Sequence, residues 1–184
     1  MNKTISIITL LLVSLISFNT SAQNTNIIGT WKGKTSGASD NPNDSMKGVI
    51  NYDYTLNTDY SGEVIFYGNV EGDVNEDFYI KLRIKGSCPF TWTKKDNIIT
   101  FTTKSFKINI NLTDKDLDII CSDPKIQSTI DSYKSIMVKM MRRKFKSSLK
   151  SNVSSNSQWE IIKSDENTLT IKENDNTIKL TRVK

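Results

Sequence analysis

Side chains able to do chemistry are few in this sequence, and histidine, the usual general base and metal ligand near neutral pH, is absent. Asp73, Glu76 and Asp77 cluster at a predicted turn, but their spacing matches no known Ca²⁺-binding loop. Turns select such residues for local hydrogen bonds. Asp53 and Glu63 fall on predicted outward faces, which disfavours the facing carboxylates of a glycosidase. We therefore predict no metal site, no cofactor and no catalytic residue, and we do not expect an enzyme.

The N-terminus predicts an export signal that is removed from the mature protein. A charged start precedes an apolar run of 14 residues at 5–18, whereas a membrane-spanning helix needs roughly 17–25 residues. The small residues Thr20-Ser21-Ala22 match the positions that a signal peptidase reads. An uncleaved anchor is the alternative. We predict a signal peptide at 1–22 and one domain at 23–184, periplasmic or secreted and soluble after cleavage.

The two cysteines, Cys88 and Cys121, are predicted to form a disulfide. An exported chain meets an oxidising compartment, where an even number of cysteines favours pairing. The bond would close a loop of about 30 residues and stabilise the fold by about 3–4 kcal/mol. Two buried free thiols are the alternative, whereas a reactive thiol would lack a histidine base.

Alternation of apolar and polar residues predicts antiparallel strands over most of the domain. Every second residue along 46–56 is apolar or glycine, and a period of two marks a strand with one buried face. Further runs of this kind, separated by polar turns, lie at 64–70, 78–84, 98–103 and 106–112. Neighbouring strands joined by short turns indicate a meander, and closing such a sheet into a barrel removes its exposed edges.

One helix interrupts the strands near the C-terminus. Asp123 is a good N-cap and Pro124 is favoured at the first helical position, and apolar residues then recur at helical spacing. Three strand-like runs follow at 159–163, 168–172 and 177–182. The predicted fold is all-β: an antiparallel meander closed into a barrel of about 8–10 strands. One amphipathic helix at about 124–150 precedes the closing strands.

Much of the positive charge lies in the second half of this helix. Residues 139–150 include six Lys or Arg and no acid. The whole chain has a net charge of only +5, which does not predict a nucleic-acid partner, and the oligomeric state is left open. One hypothesis is a lid over the barrel mouth or a helix on an anionic membrane surface; a docked helix with a solvated basic face is the alternative. The residues assigned to the lid or membrane surface are Met137, Met140, Met141, Arg142, Arg143 and Lys144.

Three short motifs resemble those of small bacterial lipocalin-like proteins. Gly29-Thr30-Trp31 resembles the Gly-x-Trp signature of their first strand, and Phe90 to Phe101 resembles their mid-barrel hairpin. The runs from Trp159 to Arg182 are similar to their closing strands, although three strands follow the helix here where one is typical. The resemblance implies a lipocalin-like barrel with one end closed by Gly29, Trp31 and Arg182, the guanidinium packing over the indole.

The resemblance also implies a small hydrophobic or lipid-like ligand. An eight-stranded barrel encloses one small ligand or fills itself with side chains. The candidate ligand-binding residues are Tyr52, Tyr54, Phe66, Phe78, Trp92, Phe101 and Phe106. The alternative is that these rings pack a solid core, and that the domain acts as a protein- or envelope-interaction module through its surface and basic helix.

Overall fold

The computed structural model describes residues 27–38, 45–103, 107–152, 156–173 and 175–183, so the predicted signal peptide lies outside the described residues. The described strands are β1 (Gly29–Ala38), β2 (Lys47–Leu56), β3 (Ser61–Asn75), β4 (Phe78–Lys95), β5 (Ile98–Thr103), β6 (Asn109–Asn111), β7 (Leu117–Cys121), β8 (Asn156–Ser164), β9 (Thr168–Glu173) and β10 (Asn176–Arg182). A helix, α1, spans Pro124–Asn152, and a short 3-10 turn spans Asp114–Asp116.

Eight of these strands form a closed antiparallel barrel. The order around the ring is β1-β2-β3-β4-β5-β8-β9-β10, and β10 returns to β1. The seam between β1 and β10 is short, because the described residues pair only at Trp31 with Arg182 and at Lys32 with Thr181. The predicted all-β barrel, with one helix before its closing strands, is confirmed.

The β3–β4 hairpin is longer than the ring and extends beyond it. The last residues of β4 pair with β5, whereas its earlier residues pair in turn with β6 and β7. β6 and β7 therefore continue the line of β5 along one edge of β4. The buried side chains of Leu82, Ile110 and Leu117 give this extension an apolar face that is continuous with the barrel core.

α1 begins where the sequence predicts and packs on the extension, against β6, β7 and the 3-10 turn. The Asp123 carboxylate caps it by accepting from the Lys125 N–H at 2.7 Å. Gln127 ties the first turn to the edge of β7, because its side chain accepts from the Cys121 N–H at 2.7 Å and donates to the Ile119 carbonyl at 3.1 Å. The helix residues buried in the core are Val138, Phe145 and Leu149. No helix in the described ranges is long and apolar enough to span a membrane.

The predicted disulfide between Cys88 and Cys121 is wrong. Cys121 on β7 pairs with Phe78 at the start of β4, and Cys88 lies farther along β4 by roughly 33 Å, at about 3.3 Å per residue. A disulfide needs Cα atoms within about 7 Å. Both cysteines are buried free thiols, the alternative that the sequence left open. Burial raises the pKa of the Cys88 thiol to about 11.

We expect iodoacetamide to alkylate both thiols in denaturant without prior reduction, as counted by intact-protein mass spectrometry. The native protein should react far more slowly, because both thiols are buried and the raised pKa of Cys88 leaves little of that thiol as thiolate. A reductant should leave the Tm unchanged, whereas breaking a real disulfide here would cost about 3–4 kcal/mol. Labelling that required the reductant would contradict this strand register.

Candidate functional site

A connected cluster of aromatic rings lies in the core of the barrel. The Trp159 ring centroid lies 4.6 Å from that of Tyr54 and 4.5 Å from that of Phe101, both in edge-to-face geometry. Phe90 packs against Phe101 at 5.1 Å, and Tyr52 packs against Tyr54 at 5.4 Å. Such pairs contribute roughly 0.5–1.5 kcal/mol beyond the area that they bury. These five residues, the ring cluster, fix β2, β4, β5 and β8 relative to one another.

One carboxyl group, that of Glu173, lies beside the ring cluster. Glu173 ends β9, and it is only 1% exposed. The Trp159 indole N–H donates to its Oε1 at 2.8 Å, while its Oε2 has no hydrogen-bond partner in the described part of the chain. Leaving a buried polar atom unpaired costs about 1–3 kcal/mol. An ordered water or a bound molecule at this oxygen would supply the missing hydrogen bond.

Burial keeps this carboxyl group neutral near physiological pH. Burial raises the pKa of Glu173 to about 8, although the hydrogen bond from Trp159 opposes the shift. Burial, reinforced by Glu173, also raises the pKa of Tyr52 to about 12 and holds the pKa of Tyr54 well above its usual range. The site thus offers a neutral carboxyl, two phenol hydroxyls and an indole, which donate and accept hydrogen bonds without a fixed charge.

The seam between β1 and β10 separates next to Glu173. Glu173 pairs with Asn176, the first residue of β10, whereas β10 pairs with β1 only at its far end. The described residues at 33–38 and 176–180 form no ladder pairs with each other. The inward residues of β1 along this stretch are the small, half-buried Gly33, Thr35 and Gly37. The barrel wall is therefore weakly closed beside the unpaired carboxyl oxygen.

Four of the predicted ligand-lining residues lie at or near this site. Tyr52, Tyr54 and Phe101 belong to the ring cluster. Phe66 is buried on β3 opposite Tyr52, and its ring covers Gly86, where an added Cβ would meet it at 2.2 Å. Part of the predicted ligand-binding lining therefore lies together in the barrel, but these rings mainly pack against one another.

The other three predicted lining residues are Trp92, Phe78 and Phe106. Trp92 is buried on β4 directly opposite Phe101 of the ring cluster, and its indole packs on Tyr60 at 5.3 Å and donates to the Ser61 carbonyl at 3.1 Å. Phe78 lies at the tip of the extension, opposite Cys121, and so does not line the barrel interior as predicted. The difference arises because β4 continues well past the ring. Phe106 lies outside the described residues.

The end near Trp92 is closed by the residues that the Gly-x-Trp pattern indicates. The Arg182 guanidinium lies over the Trp31 ring, 4.2 Å from its centroid. It also donates to the carbonyls of Ile28 at 2.6 Å and Glu166 at 2.7 Å. Gly29 has a φ of +128°, and a Cβ there would approach Arg182 Nη1 to 2.7 Å. Glycine is required here because it accepts this φ and leaves room for the guanidinium.

The helix residues predicted to form a lid or membrane surface lie in two environments. Met137 and Met141 are half-buried and pack against the core, whereas Met140 is exposed. The exposed cations of this set are Arg142, Arg143 and Lys144. Arg142 borders an outer groove of about 520 Å³ between α1 and the 3-10 turn. α1 therefore covers the core with one flank and leaves another flank free.

Sequence reasoning missed Glu173, although one signal could have found it. The inward residues of β9 are Leu169 and Ile171, and the same period of two places Glu173 on the inward face. Glu160 is a second buried carboxyl with an unpaired Oε2 among the described residues. It accepts from the Asn97 amide at 3.0 Å and so holds the β4–β5 turn. Of these two buried carboxyls, Glu173 is the one that lies beside the ring cluster and the open seam.

The acidic turn near Asp73 is occupied by local bonding, since the Ser45 hydroxyl donates to the Asp73 carboxylate at 2.6 Å. Within the described ranges, no group of three or more His, Cys, Asp or Glu residues is placed to hold a metal ion.

No protein-family model and no curated protein sequence matches this chain. The features available for function are therefore this chain's own: a neutral buried carboxyl, a ring cluster and a short seam.

Proposed function

We propose that this chain is an exported, lipocalin-like binding protein, and not an enzyme, that holds one small, largely apolar ligand beside Glu173. The observation that carries the proposal is the unpaired Glu173 Oε2 next to the ring cluster. Small-ligand sites typically combine apolar rings with a few placed polar groups, and an eight-stranded barrel holds one small ligand at most. The ligand would bring one hydroxyl, carbonyl or amine group to Oε2 and an apolar body to the rings.

Entry through the β1–β10 seam is part of the proposal. The described strands would not have to break ladder hydrogen bonds there, and segments with few backbone bonds open most readily. Thr35 and Gly37 are small and half-buried on the inward side of β1. The export assignment is supported by the charged start and the short apolar run before Ala22.

A fluorescence titration with N-phenyl-1-naphthylamine tests this proposal, because the probe joins two apolar ring systems through one N–H. We expect saturable emission enhancement with wild-type protein. Thr35→Trp should weaken binding by at least about tenfold, which corresponds to about 1.4 kcal/mol, because an indole at this inward position fills the seam. Ser36→Trp is the matched control, since Ser36 is exposed on the outer face of the same strand and should leave binding unchanged.

The absence of saturable binding to wild-type protein, or an equal effect of both tryptophan variants, would count against a ligand in the barrel. The second candidate function, an interaction module with a solid core, would then be preferred. That candidate is favoured by one specific observation: large apolar side chains remain exposed on α1.

A further inference from the structure

α1 is apolar over a wider arc than the sheet covers. Val138, Phe145 and Leu149 face the core and are buried. Four other large apolar residues of α1 are between 44% and 56% exposed. These residues, which we call the free flank, are Ile126, Tyr133, Ile136 and Met140.

The free flank forms a line along the helix. Ile126, Tyr133 and Met140 follow one another at intervals of seven residues, which is roughly two helical turns. Ile136 lies about one turn before Met140, next to this line. At about 1.5 Å per residue the line is about 21 Å long. Large apolar side chains aligned on one exposed face of a helix are typical of a site of contact with another surface.

Cations border the free flank. Residues 132–150 contain seven Lys or Arg and no Asp or Glu. Lys134 is turned towards β7, where it pairs with Asp118 at 3.5 Å. By helical geometry Lys144 continues the line of the free flank, and Arg143 and Lys150 lie beside it. These three side chains are exposed and form no ion pair with a described residue.

We propose that the free flank docks on an anionic phospholipid surface, with α1 lying in the plane of the headgroups. Its apolar side chains would enter the interface, and Arg143, Lys144 and Lys150 would contact lipid phosphates. The burial of apolar area and the attraction of cations to anionic lipids both favour membrane binding by such helices. A second copy of the chain fits poorly, because two flanks with the same charge repel each other. A fluid headgroup layer adapts to single side chains spaced along a helix, whereas a protein partner would need acids fixed at matching positions. This docking does not depend on a ligand in the barrel.

The test is co-sedimentation of the full exported chain with vesicles. We expect binding to vesicles that contain phosphatidylglycerol and little binding to pure phosphatidylcholine. Reversal of Arg143, Lys144 and Lys150 to Glu should weaken binding about a hundredfold, because each cation near an anionic surface contributes about fivefold. Added salt should weaken wild-type binding, since it screens exposed charges.

A matched control makes the same change in net charge on the barrel. Lys95, Lys163 and Lys179 are exposed on β4, β8 and β10, and their reversal to Glu should keep most of the binding. Ile136→Ser with Met140→Ser should weaken binding while the Tm stays unchanged, since both side chains are exposed. Equal loss in the two charge-reversed variants, no preference for phosphatidylglycerol, or retention of binding in the serine variant would overturn the proposal. Binding to an acidic protein without binding to vesicles would also overturn it.

Discussion

Glu173→Gln should remove a large pH dependence from the stability of this protein. In the folded protein the pKa of Glu173 is raised by burial to about 8, from an ordinary value of 4.5. Between these values the unfolded chain has lost a proton that the folded chain keeps, so wild-type stability falls as the pH rises. The full effect is on the order of 5 kcal/mol, or roughly 10–20 °C in Tm for a domain of this size. Glutamine still accepts from Trp159 and does not titrate.

The measurement is the Tm of wild type and Glu173→Gln from about pH 5 to about pH 9, across the window set by the two pKa values. The Tm of the variant, relative to that of the wild type, should rise steadily as the pH increases to about 8 and stay level above it. Glu76→Gln, which removes an exposed carboxylate at the β3–β4 turn, is the charge-matched control. A Tm difference that stays constant across this range would mean that Glu173 is not held neutral in the folded barrel.

Trp31→Ala should destabilise the closed end of the barrel by about 3–5 kcal/mol. The indole is fully buried and donates to the Ile27 carbonyl at 2.7 Å. Arg182→Ala should cost about 2–3 kcal/mol, because it removes the contact over the Trp31 ring and leaves backbone carbonyls without their donor. Arg182→Lys keeps the charge but not the planar fork of donors, so it should recover only part of this loss.

Urea unfolding measures these changes, and a double-mutant cycle between Trp31 and Arg182 isolates their direct contact at about 1 kcal/mol. Lys179→Ala provides the control, since Lys179 is exposed on the same strand as Arg182. If Arg182→Ala and Lys179→Ala lowered the midpoint equally, the contact over Trp31 would contribute nothing to closure.

The barrel could be predicted because its strands alternate strictly and its turns are polar. Along β2, Ile50, Tyr52 and Tyr54 are buried as the period of two indicates. The helix start could be predicted because the Asp123 carboxylate and the fixed φ of Pro124 act locally. Local signals of this kind do not depend on which distant strands meet, and so they can be read from one sequence.

Features that depend on long-range register were beyond the sequence. The length of β4 is one such feature: the strand runs through Pro89, because Pro89 falls between the residues of β4 that pair with β6 and those that pair with β5. A proline in a strand is tolerated where no ladder hydrogen bond is required. The disulfide prediction failed for a related reason. An even number of cysteines favours pairing, but the strand register places Cys121 opposite Phe78, far from Cys88.

Residues of the candidate site were also predictable only where a local sequence pattern marks them. The rings of Tyr54 and Phe101 were predicted to lie inside because apolar alternation marks the inward face. Glu173 was not predicted, since a carboxyl group is buried only when the surrounding fold holds it neutral. The separation of β1 from β10 follows from the closure of the whole ring, which no local pattern records.

A ligand beside Glu173 is tested most directly by the indole N–H resonances in ¹H–¹⁵N spectra. The chain has three tryptophans, and their indoles report on different parts of the barrel: Trp159 bonds Glu173, whereas Trp31 bonds the Ile27 carbonyl at the closed end. Titration with N-phenyl-1-naphthylamine should shift or broaden the Trp159 resonance and leave that of Trp31 in place. An unchanged Trp159 resonance at saturating probe, or a shift of Trp31 alone, would contradict a ligand site beside Glu173.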